Sequence, residues 1–335
     1  MSYNHYKKLY LLEKYKNNFS GGSYNILDKL NDTIQSNYIH NYQFEIINPE
    51  FDRDDIFYGP FIAPVIKDYI KHQTFSSILV DNTKFYTTTP LNDNIFKELV
   101  RRTLTLNKIL NITKQVQVFY IDSPFEKILP DYGPIKTINV NSGVSTNYYS
   151  VVYRKEEAPK VLVHELLHQY EVDCNSACNV YEHNFNLKDN QKHKKKLLIN
   201  ESLVESLATI INCMFMNKDY KKLIEDEKQF ILYQSAKILN YYGYKNYDDQ
   251  HIIVSDTSLF EYYLFKAVIL NNLDEFIDFL NKNNPVNILK FDRTKNKQLY
   301  NKIISFINQN FKNKINNLLK LNNFDKTMRM TKNIM

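Results

Sequence analysis

Residues 160–173, KVLVHELLHQYEVD, place His164, Glu165 and His168 in the spacing HExxH. On an α-helix positions i and i+4 share one face, so both imidazoles can reach one metal ion. Glu165 stands beside them, where a carboxylate can take a proton from an attacking water. Val161, Val163, Leu166 and Leu167 are apolar, which predicts a buried helix able to hold its ligands rigidly. With 8 histidines in the chain, a chance match to this pattern is expected on the order of 0.01 times. Two histidines and a glutamate on an otherwise apolar helix are costly to bury without a metal or other partners. The spacing therefore predicts one catalytic zinc.

Such a zinc takes a third protein ligand and keeps one position for water. The metzincin spacing requires Gly at 171 and His at 174, where this chain has Glu171 and Cys174. Asp173 lies more than one turn past His168 and reads as an end cap or as a group behind the ligands. The remaining source is NESLVESLATII, residues 200–211. There Asn200-Glu201 opens a helix, Glu205 lies one turn later on the same face, and Leu203, Val204, Leu207 and Ile210 bury it.

HELLH followed by NESLVE resembles the gluzincins, the thermolysin-like and aminopeptidase-like zinc peptidases. The resemblance implies Glu201 as third ligand and Glu205 as the carboxylate that orients an imidazole of the HExxH. The reverse assignment of the two glutamates is the alternative. The separation from His168 to Glu201 is longer than is usual in that group, and the polar stretch 174–196 reads as an insertion that accounts for it. Gluzincins also use a His or Tyr from their later helical part to stabilise the oxyanion. His251, Tyr262 and Tyr263 are the candidates, with the tyrosines preferred because a helix aims a phenol rigidly. NVNSGVST and the stretch running from VVYRKEEAPK into the HExxH are similar to a predicted zinc-peptidase family of giant DNA viruses of amoebae.

Outward from the motif, strands precede it and helices follow. YQFEII, SSILV, KFYTTT, QVQVFYI, KTINV and YYSVVY read as strands, with a helix at 92–110. From residue 156 onward the pattern is helical, at 157–172, 197–216, 218–240, 258–271, 272–282 and 296–322. This predicts an α+β, zincin-like fold: a mixed sheet in 23–155 and a mainly helical part in 156–322. Residues 1–22 read as a helical appendage ended by Gly21-Gly22, and 323–335 as a frayed tail. The substrate-side strand is assigned to 137–143 or 148–153, with Thr137, Asn139 and Asn141 facing the cleft in the first case.

Composition limits the alternatives. The 335 residues are 43% hydrophobic, with 6 glycines and 9 prolines, which excludes a disordered or collagen-like chain and predicts long regular elements. Heavy use of Asn, Ile, Lys and Tyr reports an AT-rich genome. There is no signal-peptide core and no apolar run long enough to span a membrane, so an intracellular setting, host cytoplasm or virion, is expected. Cys174, Cys178 and Cys213 fit reduced thiols there. The net charge of +6 is mild for this size and argues little for nucleic acid, although KHKKK at 192–196 keeps a nucleic-acid-associated virion protein as one alternative. A catalytically inactive zincin-fold protein of the virion or host interface is another, and the presence of Glu165 argues against it. The leading expectation is a zinc-dependent peptidase acting on a peptide or protein substrate.

Overall fold

The computed structural model describes residues 21–334 apart from Tyr58, 173–179, 182–184, Asn190, Lys192, 217–218, 285–287, Lys290 and Asn322. It is a mixed α/β structure with one six-stranded sheet and many helices. The strands are β1 (Glu45–Ile47), β2 (Ser76–Val80), β3 (Thr83–Thr87), β4 (Val116–Tyr120), β5 (Gly143–Ser145) and β6 (Tyr149–Val152), in the order β1-β2-β3-β4-β6-β5. The β3–β4 and β4–β6 pairs are parallel and the other three are antiparallel.

Strand alternation builds two cores from one sheet. Phe85, Val118, Tyr120 and Val152 point to the larger core, which is shared with most of the helices. Tyr86, Phe119, Val151 and Tyr153 point the other way, against Ile56, Phe57, Ile62, Ile66 and Ile70. The parallel step from β3 to β4 is carried by the helix Asn94–Leu110. Asp93 caps its start by accepting from the Phe96 amide at 2.9 Å, and Asn111 ends it in the left-handed region at φ 53°.

The HExxH helix, Ala158–Gln169, follows β6 directly and is buried along its whole length. It packs on β5 and β6, on the helix Asn94–Leu110 and on the helix Ile199–Phe215. Among the described residues no helix is long and apolar enough to cross a membrane.

Five expectations change. KTINV is not a strand: residues Thr137–Val140 form a short helical turn. The Asn139 side chain accepts from the Lys136 amide at 2.9 Å and donates to the Ile128 carbonyl at 2.9 Å, a local capping bond that outweighs the β-branched content. The expected helix 296–322 is two, Asn296–Ser305 and Gln309–Leu319, the second capped by Asn308. The sheet-edge strand is β5 itself, paired to β6, and begins beyond the assigned face of Thr137, Asn139 and Asn141. Finally, the segment after residue 323 is docked, with Met328, Met330 and Thr331 buried. At the other end, Gly21 and Gly22 lie within the helix Gly21–Asn37, so they are no extended linker. The expected helix before them lies outside the described residues, as do Asp173, Cys174 and Cys178.

Candidate metal centre

Two helices supply a ladder of charge. Lys160, His164 and His168 recur at i, i+4 on the HExxH helix, and Glu201 and Glu205 do so on Ile199–Phe215. The helices run in opposite directions, so His168 meets Glu201, His164 meets both glutamates, and Lys160 meets Glu205.

The three expected ligands converge. Nε2 of His164 and Nε2 of His168 are 3.2 Å apart. Glu201 Oε2 is 3.6 Å from the first and 3.4 Å from the second. A tetrahedron with bonds of about 2.0–2.1 Å to nitrogen and oxygen has edges of about 3.3–3.4 Å, so this triangle is the size a zinc ion requires. Glu201 Oε2 is buried and, among the described residues, has no hydrogen-bond partner, although it is aimed at this point. A buried carboxylate oxygen left in that way costs free energy unless a cation meets it. Two imidazoles and one carboxylate also form a donor set suited to zinc.

The electrostatics favour positive charge at the same place. Burial opposes ionisation of Glu201, but His168 and His164 outweigh it and hold its carboxyl far below the usual range. Burial works against a charge on His164, yet Glu201 and Glu205 push its pKa up. Glu205 lies 3.0 Å from Nδ1 of His164, 3.0 Å from Nζ of Lys266, and in contact with Nζ of Lys160. It is fully buried and holds His164 from behind, which leaves Nε2 to face the other ligands.

Glu165 turns away from the ligand face toward the sheet edge. Its Oε2 accepts from the Ser145 hydroxyl at 2.8 Å. Burial raises its pKa, and His164, His168 and the Ser145 hydrogen bond offset part of that. Gly143 makes this approach possible: a Cβ there would sit 2.5 Å from Glu165 Oε1 and 2.8 Å from Val161 Cγ1. Neither Gly143 nor Ser145 was among the expected site residues. The available signal was a lone glycine inside a strand pattern, in a chain with only 6 glycines, which marks close backbone approach.

A cleft of about 290 Å³ opens over these groups, lined by Val144, Glu165, Lys195, Glu201, Asp256 and Tyr262, among others. Lys195, from the basic run, contributes to its rim and donates to the Thr257 carbonyl. Of the three oxyanion candidates only Tyr262 reaches the cleft. Its ring lies 5.8 Å from the His164 ring, edge-on at 74°. Burial, then Glu201 and Glu165, raise its pKa, so the phenol keeps its proton. Tyr263 does not belong to the site: it is buried and its hydroxyl donates to the Met328 carbonyl. His251 does not either, since its exposed ring packs on Tyr244 at 5.1 Å beside Gly243. The turn Glu261–Phe265, which carries both tyrosines, is a π-helix.

No protein-family model matches this chain, and no solved structure matches it. The chain is similar to an uncharacterised protein of Acanthamoeba polyphaga mimivirus, with 23% identity over 205 residues. The match covers 55% of this chain and 51% of that protein, so the chain spans about half the length of the curated relative it matches.

Proposed function

We propose that this chain is a zinc-dependent peptidase of the gluzincin type on a zincin-like fold. The observation that carries the reading is the triangle of His164, His168 and Glu201, with the buried Glu201 oxygen aimed into it and Glu165 held separately beside it. A zinc ion held by these three residues would act as a Lewis acid and make a water nucleophilic near neutral pH. Glu165 takes the proton of the attacking water on its carboxylate and returns it to the leaving amine. The Ser145 hydroxyl fixes the orientation of that carboxylate. Tyr262 donates a hydrogen bond from its phenol to the developing oxyanion of the scissile carbonyl and keeps its proton. β5, at the edge of the sheet, offers main-chain groups to an extended peptide.

Metal content measured by plasma emission, followed by a peptide-library cleavage screen, tests the reading. One zinc per chain with cleavage is the expected result. A folded protein that takes up no zinc would sink it and leave a structural role in the virion or at the host interface as the better account.

Two variants probe the walls of the cleft. Gly143→Ala should keep its zinc and lose about 100-fold in peptide hydrolysis, because the added methyl displaces either Glu165 or the edge strand. Steady-state kinetics beside metal analysis would show it, and wild-type kinetics would remove the close-approach argument. Tyr262→Phe should lower kcat by about 10²-fold with KM and zinc content little changed, the loss typical of one oxyanion donor. An unchanged kcat would take Tyr262 out of the mechanism.

A further inference from the structure

The segment 326–333 is held by the buried side chains of Met328, Met330 and Thr331 and by a run of bonds to its backbone. The Leu129 amide donates to the Lys326 carbonyl at 2.7 Å, and the Met328 amide donates to the Lys127 carbonyl at 2.8 Å. Glu157 Oε1 accepts from the amides of Met330 and Thr331 at 2.7 and 2.6 Å, while its other oxygen accepts from Lys127 at 2.6 Å. Glu227 accepts from the amides of Lys332 and Asn333 at 3.0 and 2.9 Å. Glu157 and Glu227 are buried, so these amides offset a desolvation cost that would otherwise fall on two carboxylates.

The strap also reaches the candidate metal centre. Met330 lines a small cavity together with Lys160, His164, Glu205 and Tyr262. The Met330 carbonyl accepts from Nζ of Lys266, and the same Nζ lies 3.0 Å from Glu205 Oε1. Glu205 Oε2 in turn lies 3.0 Å from Nδ1 of His164. An unbroken line of polar contacts therefore runs from strap backbone to ligand imidazole. Lys266 is fully buried, and its contacts include one anion and one carbonyl of the strap. With the strap absent, its ammonium would lose a fixed acceptor, and Glu205 would keep Lys160 but have Lys266 less firmly placed.

We propose that Lys266 is a positioning residue that couples the docked strap to Glu205 and His164, so that the centre binds zinc tightly only with 326–333 in place. This rests on the zinc reading of the site. Groups behind metal ligands typically govern about 10- to 100-fold in metal affinity.

The test is zinc affinity of the full chain by chelator competition, with thermal melting in parallel. Lys266→Met should weaken zinc binding by at least about 10-fold. Lys228→Met, which removes a buried lysine paired with Glu225 at 2.6 Å outside the strap, serves as the stability control. It should lower the melting temperature and leave zinc affinity within about twofold, well short of what a group behind a ligand governs. A chain ending at residue 323 should show the Lys266→Met loss, and adding Lys266→Met to it should cost little more, since both changes break the same line. A synthetic peptide of residues 324–335 should restore affinity to the shortened chain but not to its Lys266→Met form. If the shortened chain does not fold, the two lysine variants decide alone. Wild-type affinity in Lys266→Met overturns the proposal, and so does equal weakening in both lysine variants, which would mark a general packing effect. A wild type that binds no zinc is a distinct result and removes the site reading itself.

Discussion

Glu165→Gln should bind zinc as well as the wild type and hydrolyse peptides about 10³-fold more slowly, or less, within the range that general acid–base groups supply. The amide is nearly the same size as the carboxylate, and it still accepts from the Ser145 hydroxyl through its oxygen. Its packing against Gly143 is kept as well. What it cannot do is take a proton at neutral pH. Glu165 is also not one of the three converging ligands, so the metal should stay. The checks are kcat on any substrate found by library screening, and zinc stoichiometry on the same preparation. A variant that cleaves at the wild-type rate would overturn the mechanism.

Glu201→Ala should have the largest effect on the metal, taking the zinc content from one per chain to near none after dialysis. It removes the only carboxylate that meets both Nε2 atoms among the described residues. It also removes stability that metal binding confers on the folded chain. With free zinc at about 1,000 times the dissociation constant, linkage supplies about 4 kcal/mol. For a chain of this size that corresponds to a fall in melting temperature on the order of 5–10 °C. The wild type stripped with a chelator should melt close to the variant, and adding zinc should raise the wild type alone. Glu205→Gln separates the two assignments of the glutamates. If Glu205 supports His164 from behind, its zinc affinity falls but binding survives; complete loss there, with Glu201→Ala still binding, would reverse the roles.

The residues that were legible in the sequence are those whose geometry is set by one helix. His164 and His168, and Glu201 and Glu205, are each one turn apart, so spacing alone puts each pair on a face. The mixed sheet was also readable, because β2, β3, β4 and β6 carry alternating apolar residues that feed two cores. What escaped depends on distant partners. Ser145 and Gly143 meet Glu165 only because β5 pairs with β6, and no local pattern encodes that register. KTINV has strand composition, but one Asn139 side chain bonding its own backbone closes a turn. Tyr262 and Tyr263 cannot be told apart by helical phase when the turn that carries them is wound with a different period. The segment after residue 323 lies at a chain end and carries no helix or strand pattern, so it reads as loose, yet two buried carboxylates more than a hundred positions earlier bind its amides.

Those carboxylates have a consequence for how the chain is made. Glu157 is translated just before the HExxH helix, but the amides that bind its Oε1 belong to Met330 and Thr331, 173 and 174 positions later. At a synthesis rate of about 5–20 residues per second, that interval lasts roughly 10–30 s. Throughout it Glu157 has Lys127 on one oxygen and lacks the two amides on the other, so the final packing around the motif waits on late translation. A ribosome stalled in that window after residue 205 would leave a nascent chain with its metal-binding sequence complete and the environment behind it unfinished.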